Sequence, residues 1–192
     1  MPPHSPVAFL HDLTWQDLPE TLRLQTRLAL LDLIGVAAGG RKTRLANIIC
    51  DHAVDDFGGA QPMLFDARTA SASGVALAAG MTIDSLDGHD GFNPAKGHIG
   101  CPLFAASLAI AQSVQTSGID FLTTIAMGYE FGARASIAQH GTVPDYHTSG
   151  SWGAVTAAAA GARLMIATGA FDFYAASFAE RWGCEALVAT RW

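Results

Sequence analysis

The chain has 192 residues, of which 50% are hydrophobic and only 15% charged, with a formal net charge of −6. So much apolar material supports a packed core and excludes a disordered or low-complexity chain. Its two lysines, Lys42 and Lys96, and its scattered arginines form no basic stripe, which argues against a nucleic-acid partner.

The opening segment, MPPHSPVAFLHDLTW, lacks the basic and long apolar regions of a secretory signal. The first predicted helix starts at Asp17-Leu-Pro-Glu20, where Asp17 can cap and Pro19 sits in the first turn. Leu24, Leu28 and Leu31 recur at helical spacing, and Gly39-Gly40 ends the element. A second helix is expected from about Thr43 to Gly58-Gly59, followed by an extended connection or edge strand over AQPMLFD. TASASGVALAAGMTID lacks alternation and reads as a buried helix whose glycines and alanines allow close approach of a neighbour. The loop DGHDGFNPAKGHIGC breaks all periodicity before Pro102 opens another helix, PLFAASLAIAQSV. Asp120 is the expected cap of the next helix. A second irregular stretch, HGTVPDYHTSG, precedes helices expected over Trp152 to Ala167 and, more weakly, Asp172 to Arg191. The fold class is thus all-α, a single domain of about six packed helices interrupted by two polar, His-bearing loops.

The longest uncharged run, Ile99 to Ile119, could span a bilayer by length. Its Ser107, Gln112, Ser113, Gln115, Thr116 and Ser117 argue for a buried soluble helix, so no membrane partner is expected. Cys50, Cys101 and Cys184 are far apart and odd in number, which fits a reducing, cytoplasmic location.

The chemistry concentrates in the two loops. The first presents Asp84, Asp87, His89, Asp90, Lys96 and His98; the second presents His140, Asp145, Tyr146, His147, Thr148 and Ser149. One such residue alone is better explained as a cap or a solvated group. Together, imidazole, ammonium and carboxylate suit proton transfer on an anionic substrate. A metal set of Asp87, His89, His98 and Cys101 is the first rival, but no compact ligand motif supports it. A hydrolase using Asp145, His147 and Ser149 or Ser151 is weaker, because no nucleophile elbow occurs. Neither glycine-rich nucleotide motif is present. Phe121, Tyr129 and Phe131 read as core, and Cys50 as structural.

These residues resemble the MmgE/PrpD family, whose members include 2-methylcitrate dehydratases, cis-aconitate decarboxylases and iminodisuccinate epimerases. The resemblance runs through RLQTRLALLDLIGVAAGG, Met81 to Asp87, Lys96-Gly-His98 to Pro102, Gly128-Tyr-Glu-Phe-Gly-Ala-Arg134, and Tyr146 to Gly153 with AVTAAAAGARLM. It implies that His98 and His147 occupy the two active-site histidine positions and that Asp87 is the loop acid. The loop departs from the dehydratase-like pattern at Gly88-His89 and at Lys-Gly-His-Ile-Gly, and looks closer to the epimerase-like branch.

Family members carry a second α+β domain that holds catalytic lysines. Here the resemblance is strongest to about residue 167, and 168–192 reads as a divergent tail, so a fragment that is inactive or nearly so by itself is expected. The implied function is lyase or isomerase chemistry on a small di- or tricarboxylate, begun by removing a proton beside a carboxylate. His98 or His147 would act as base or acid, with Asp87 orienting. His89, Lys96 and Tyr146 would bind substrate, with no metal and no cofactor. A homodimer or other self-association is expected, and a non-catalytic helical binding or assembly module is the alternative.

Overall fold

A computed structural model describes residues 12–148 and 150–160 in full, and the backbone of two strands beyond them. Six α-helices account for most of the described residues, so the domain is all-α as the periodicity indicates. They are α1 (Glu20–Gly40), α2 (Arg44–Asp56), α3 (Ala72–Asp84), α4 (Gly100–Val114), α5 (Gly118–Thr142) and α6 (Trp152–Ala159). A two-residue antiparallel ladder, β1 (Gln61–Pro62) with β2 (Thr69–Ala70), links α2 to α3. None of the described helices is long and apolar enough to cross a membrane.

Helix starts follow local hydrogen-bonding chemistry, in two cases shifted from the sequence expectation. Asp17 does not cap α1. Its carboxylate turns back to accept from the Thr14 N–H and hydroxyl, at 2.9 and 2.6 Å, and closes a 3-10 turn over Trp15–Asp17. Pro19 then occupies the N-cap position of α1, and Arg23 reaches back to the Trp15 and Gln16 carbonyls to fasten that turn to the helix. In α5 the cap is Ser117, whose hydroxyl accepts from the Asp120 N–H and donates to the Asp120 carboxylate. In both cases an acid in the first turn bonds a Ser or Thr three residues earlier, as a capping pair does.

The core lies where α3 and α4 pack together and α1, α5 and α6 close over them. Leu33, Ile83, Leu103, Phe104, Ile125 and Trp152 form its main cluster; Cys50, Ala53, Met63, Val75 and Ala78 form a second under α2. On α1 the buried face is Thr26, Leu33, Ala37 and Gly40. The stripe of Leu24, Leu28 and Leu31 faces outward, with Leu31 66% exposed. Periodicity located the helix but not its inward face, because close helix approach selects small side chains. A Cβ on Gly40 would overlap the Thr82 carbonyl of α3.

Of the helix expected over Trp152 to Ala167, the described part is helical to Ala159 and strand from Met165. Met165–Phe171 (β3) and Ala186–Thr190 (β4) form a parallel pair in which Met165 faces Ala186 and Thr168 faces Ala189. The alanine content favours helix, but Ile166, Thr168, Phe171, Val188 and Thr190 carry the β preference that prevails. The remainder of the helix expected over Asp172 to Arg191 falls outside the described residues, as does Cys184.

The ladder is tied down by ions. Asp66, whose side chain is only 5% exposed, receives Arg41 at 2.7 Å and Arg68 at 2.8 Å, and Arg68 extends to Asp51 of α2 at 2.7 Å. The hydrogen bonds and charge of Arg68, with Arg41 behind, hold the Asp66 carboxyl well below the usual carboxylate range. Asp66→Ala is expected to cost about 2–3 kcal/mol, less than a fully buried pair because both arginines remain partly solvated. Since the native carboxyl has the depressed value, its stabilisation is complete above the unfolded carboxylate range. It drains away as pH falls below about 4. Urea midpoints measured near neutrality and in acid should show a steeper acid loss in the wild type than in Asp66→Asn.

Candidate active-site loop

The loop between α3 and α4 is folded back upon the start of α4 by one residue. Asp90 Oδ2 accepts from the Ile99 and Gly100 N–H groups at 3.3 and 3.1 Å. Those groups belong to the orphan donors of a helix N-terminus, where a carboxylate also meets the favourable end of the helix dipole. The Asp90 carbonyl sits 2.6 Å from His98 Nδ1. Between them, the Phe92 N–H donates to the Gly97 carbonyl at 2.7 Å, and a 3-10 turn over Asn93–Ala95 sets the loop's width. Asp87 and Lys96 both adopt left-handed backbone, with φ of 47° and 50°. That conformation is tolerated by Asp and uncommon for Lys.

This framework fixes the chemistry of His98. A carbonyl can only accept, so Nδ1 carries a proton, and Nε2 is the nitrogen turned toward Asp87. Nε2 lies 3.3 Å from Asp87 Oδ1, with the ring 34% and the carboxylate 83% exposed. Nε2 is thus the nitrogen through which the ring can exchange a proton, with Asp87 placed to orient it.

His89 stacks behind His98, with ring centroids 4.1 Å apart and planes tilted by 36°. Its side chain is 0% exposed. The ring thus offers no face to a solute, although the sequence reading assigned it to substrate. Burial, followed by the charge of His98, lowers its pKa below the ordinary imidazole value and keeps it neutral.

The second loop docks on the first through Tyr146. The Tyr146 hydroxyl donates to the Ala95 carbonyl at 3.2 Å and takes the Nδ1–H of His140, at 2.9 Å. Here α5 runs on to Thr142, so His140 sits on the helix rather than in the loop. A cleft of about 240 Å³ opens between the loops, lined by Lys96, His140, Asp145, Tyr146 and Thr148 among others. That is small for a ligand site, and Lys96 gives it a cation. Lys96 and Tyr146, both singled out from the sequence, share this cleft, whereas His98 and Asp87, which pair with each other, are not part of its lining. His147 follows Tyr146 on the exposed loop, where its carbonyl accepts from the Ser151 hydroxyl at 2.6 Å. Ser149 falls outside the described residues.

Two residues matter here that sequence reasoning did not assign to the site. Asp90 was visible only as one of several loop acids. Tyr129 was read as core; it is partly buried on α5, and its buried hydroxyl lies beside Asp90 Oδ1 over Gly100, in space a Cβ on that glycine would fill. Burial, then the Asp90 charge, pushes the Tyr129 phenol far above its usual range, so it remains protonated. Gly128 and Gly132, on either side, let α5 press against Leu103 of α4 and Thr156 of α6. The signal was the GYEFGAR segment itself, whose small residues make the room that brings Tyr129 inward.

Asp90→Ala should uncap α4 and cost about 1–2 kcal/mol, whereas Asp90→Asn, which retains an acceptor oxygen, should lose less. Urea unfolding reads the cost. Nitrogen NMR of the His98 ring should show the Nδ1–H tautomer retained in Asp90→Asn and mixed in Asp90→Ala.

No curated protein and no solved structure matches the chain significantly. The family model described as the MmgE/PrpD N-terminal domain matches residues 7–178, which takes in α1 to α6, both loops and β3. With nearly the whole sequence covered by that match, the chain belongs to the MmgE/PrpD family, as its N-terminal domain.

Proposed function

We propose that the loop pair performs proton transfer at a carbon next to a carboxylate, on a small di- or tricarboxylate, in lyase or isomerase chemistry. The observation that supports this is the hold on His98: Nδ1–H on the Asp90 carbonyl and Nε2 aimed at Asp87. The carbon acid is weak, so a positioned base and a stabilised conjugate acid are the first requirements. In this reading His98 Nε2 takes the proton and Asp87 stabilises the imidazolium. Lys96 and Tyr146 hold a substrate carboxylate in the cleft between the loops, Lys96 by charge and Tyr146 by hydroxyl. His147 is the second acid–base group, from the opposite loop. His89 acts indirectly, as the wall against which the His98 ring stands.

Solvent-deuterium exchange into methylcitrate, cis-aconitate and aspartate-derived dicarboxylates, followed by NMR, tests the step itself and detects it even where net turnover is slow. His98→Gln is expected to reduce exchange about 100-fold or more, with Lys96→Ala raising the substrate concentration required. Exchange unaffected by His98→Gln would remove the assignment.

The exposed leucine stripe of α1 supports a second reading, self-association of the chain through that helix. Leu24, Leu28 and Leu31 together present more contiguous apolar surface than scattered exposed residues do. Sedimentation should show a dimer or larger species that Leu28→Glu converts to monomer. A stable oligomer that neither binds nor exchanges any of the carboxylates would favour an assembly module over an enzyme.

A further inference from the structure

With His98 paired to Asp87, the loop leaves a second group of side chains whose polar atoms take no part in that step. Asp84 is the last residue of α3, His89 lies in the loop, and Cys101 is in the first turn of α4. One carboxylate oxygen, one imidazole nitrogen and the thiol sulfur of these residues all lie within 4.8 Å of one another. His89 supplies an independent sign. Its ring is wholly buried, yet neither ring nitrogen has a hydrogen-bond partner, and Asp84 Oδ1 stands off from Nε2 at 3.9 Å. Burying an imidazole with both nitrogens unsatisfied is unfavourable unless something occupies the gap they face.

We propose that Asp84, His89 and Cys101 bind a thiophilic divalent cation of the Zn²⁺ class. The donor set suits such an ion and not Mg²⁺ or Ca²⁺, which take oxygen ligands. Three atoms so spaced leave a point within about 2.8 Å of all of them, and inward shifts of about 0.5–0.8 Å bring them to zinc bonding distances. Asp84 can supply its share readily, because it is half exposed at a helix end. The set differs from the one the sequence suggested. The fold withdraws Asp87 and His98 to pair with each other, and replaces them with Asp84.

The charges balance with such an ion bound. Cys101 is buried, and its thiol donates to the Gly80 carbonyl at 3.2 Å. On binding, the S–H proton leaves to solvent and the S–metal bond replaces it. The dication is then neutralised by one thiolate and one carboxylate, with His89 as a neutral ligand. Three protein ligands leave a fourth position for water.

Cobalt(II) titration of the untagged, chelator-stripped chain is the test, because thiolate ligation gives a near-ultraviolet charge-transfer band that carboxylates and histidines do not. One equivalent is expected to develop that band together with the intense visible bands of a tetrahedral site, and Zn²⁺ should displace both. Cys101→Ser should abolish the charge-transfer band, and Cys50→Ser and Cys184→Ser should retain it. His89→Gln and Asp84→Asn should each weaken binding about tenfold or more. Asp84→Asn alters a half-exposed side chain and keeps the test valid if the buried variants fail to fold. Absence of the band in the wild type would overturn the proposal. Its persistence in Cys101→Ser, or undiminished affinity in Asp84→Asn, would do the same.

Discussion

The geometry of the site depends on the Asp90 carboxylate seated at the N-terminus of α4. A helix start leaves backbone N–H groups that must be satisfied, and here they are satisfied by a residue from ten positions earlier rather than by a local cap. That choice draws the whole loop inward. It sets the Asp90 carbonyl against His98, stacks His98 on His89, and brings Tyr129 of α5 against the other carboxylate oxygen. One acid therefore couples the end of a core helix to the tautomer of an exposed imidazole.

The packing that makes this possible comes from residues with no chemistry of their own. Gly100, Gly128 and Gly132 stand where α4, α5 and α6 meet, and each lies against a neighbouring side chain with no space for a Cβ. The segment containing Gly128 and Gly132 is among those that carry the family resemblance. Its structural role is to let Tyr129 reach the loop from behind, while Arg134 on the outer face pairs with Glu130. Far from the site, the Arg41–Asp66–Arg68 group does comparable work for the β1–β2 ladder, by charge instead of close packing.

Much of this was legible in the sequence, and the misses share a cause. Helices with clear spacing, such as α1, or with an unbroken run of small and apolar residues, such as α3, stand close to where the pattern put them. The face α1 buries was not legible, because Leu24, Leu28 and Leu31 look more like a core than Ala37 and Gly40 do. Burial there is decided by how closely α3 approaches, which is a property of two segments and not of one. The same holds for the caps, where Asp17 and Asp120 were expected to cap and instead serve as acids bonded to Thr14 and Ser117, three residues earlier. At β3 a pairing partner about twenty residues further on decides the conformation, and no local window contains it. For the site, composition and motif identified the two loops. Which side chains meet within them required the hydrogen bonds of Asp90 and Tyr146, neither of which has a sequence signature.

The left-handed backbone at Asp87 and Lys96 has a consequence for how this loop can diversify. Both residues stand where the chain reverses, so each is chosen first for its shape and only then for its charge. Glycine, asparagine and aspartate can enter either position with the turn preserved, while valine, isoleucine or threonine would force it open. New specificity is therefore most accessible through the lining of the cleft between the loops, at Val143 or Asp145, exposed side chains that do not hold the peptide that carries His98. The loop behaves as a fixed mount with an exchangeable rim.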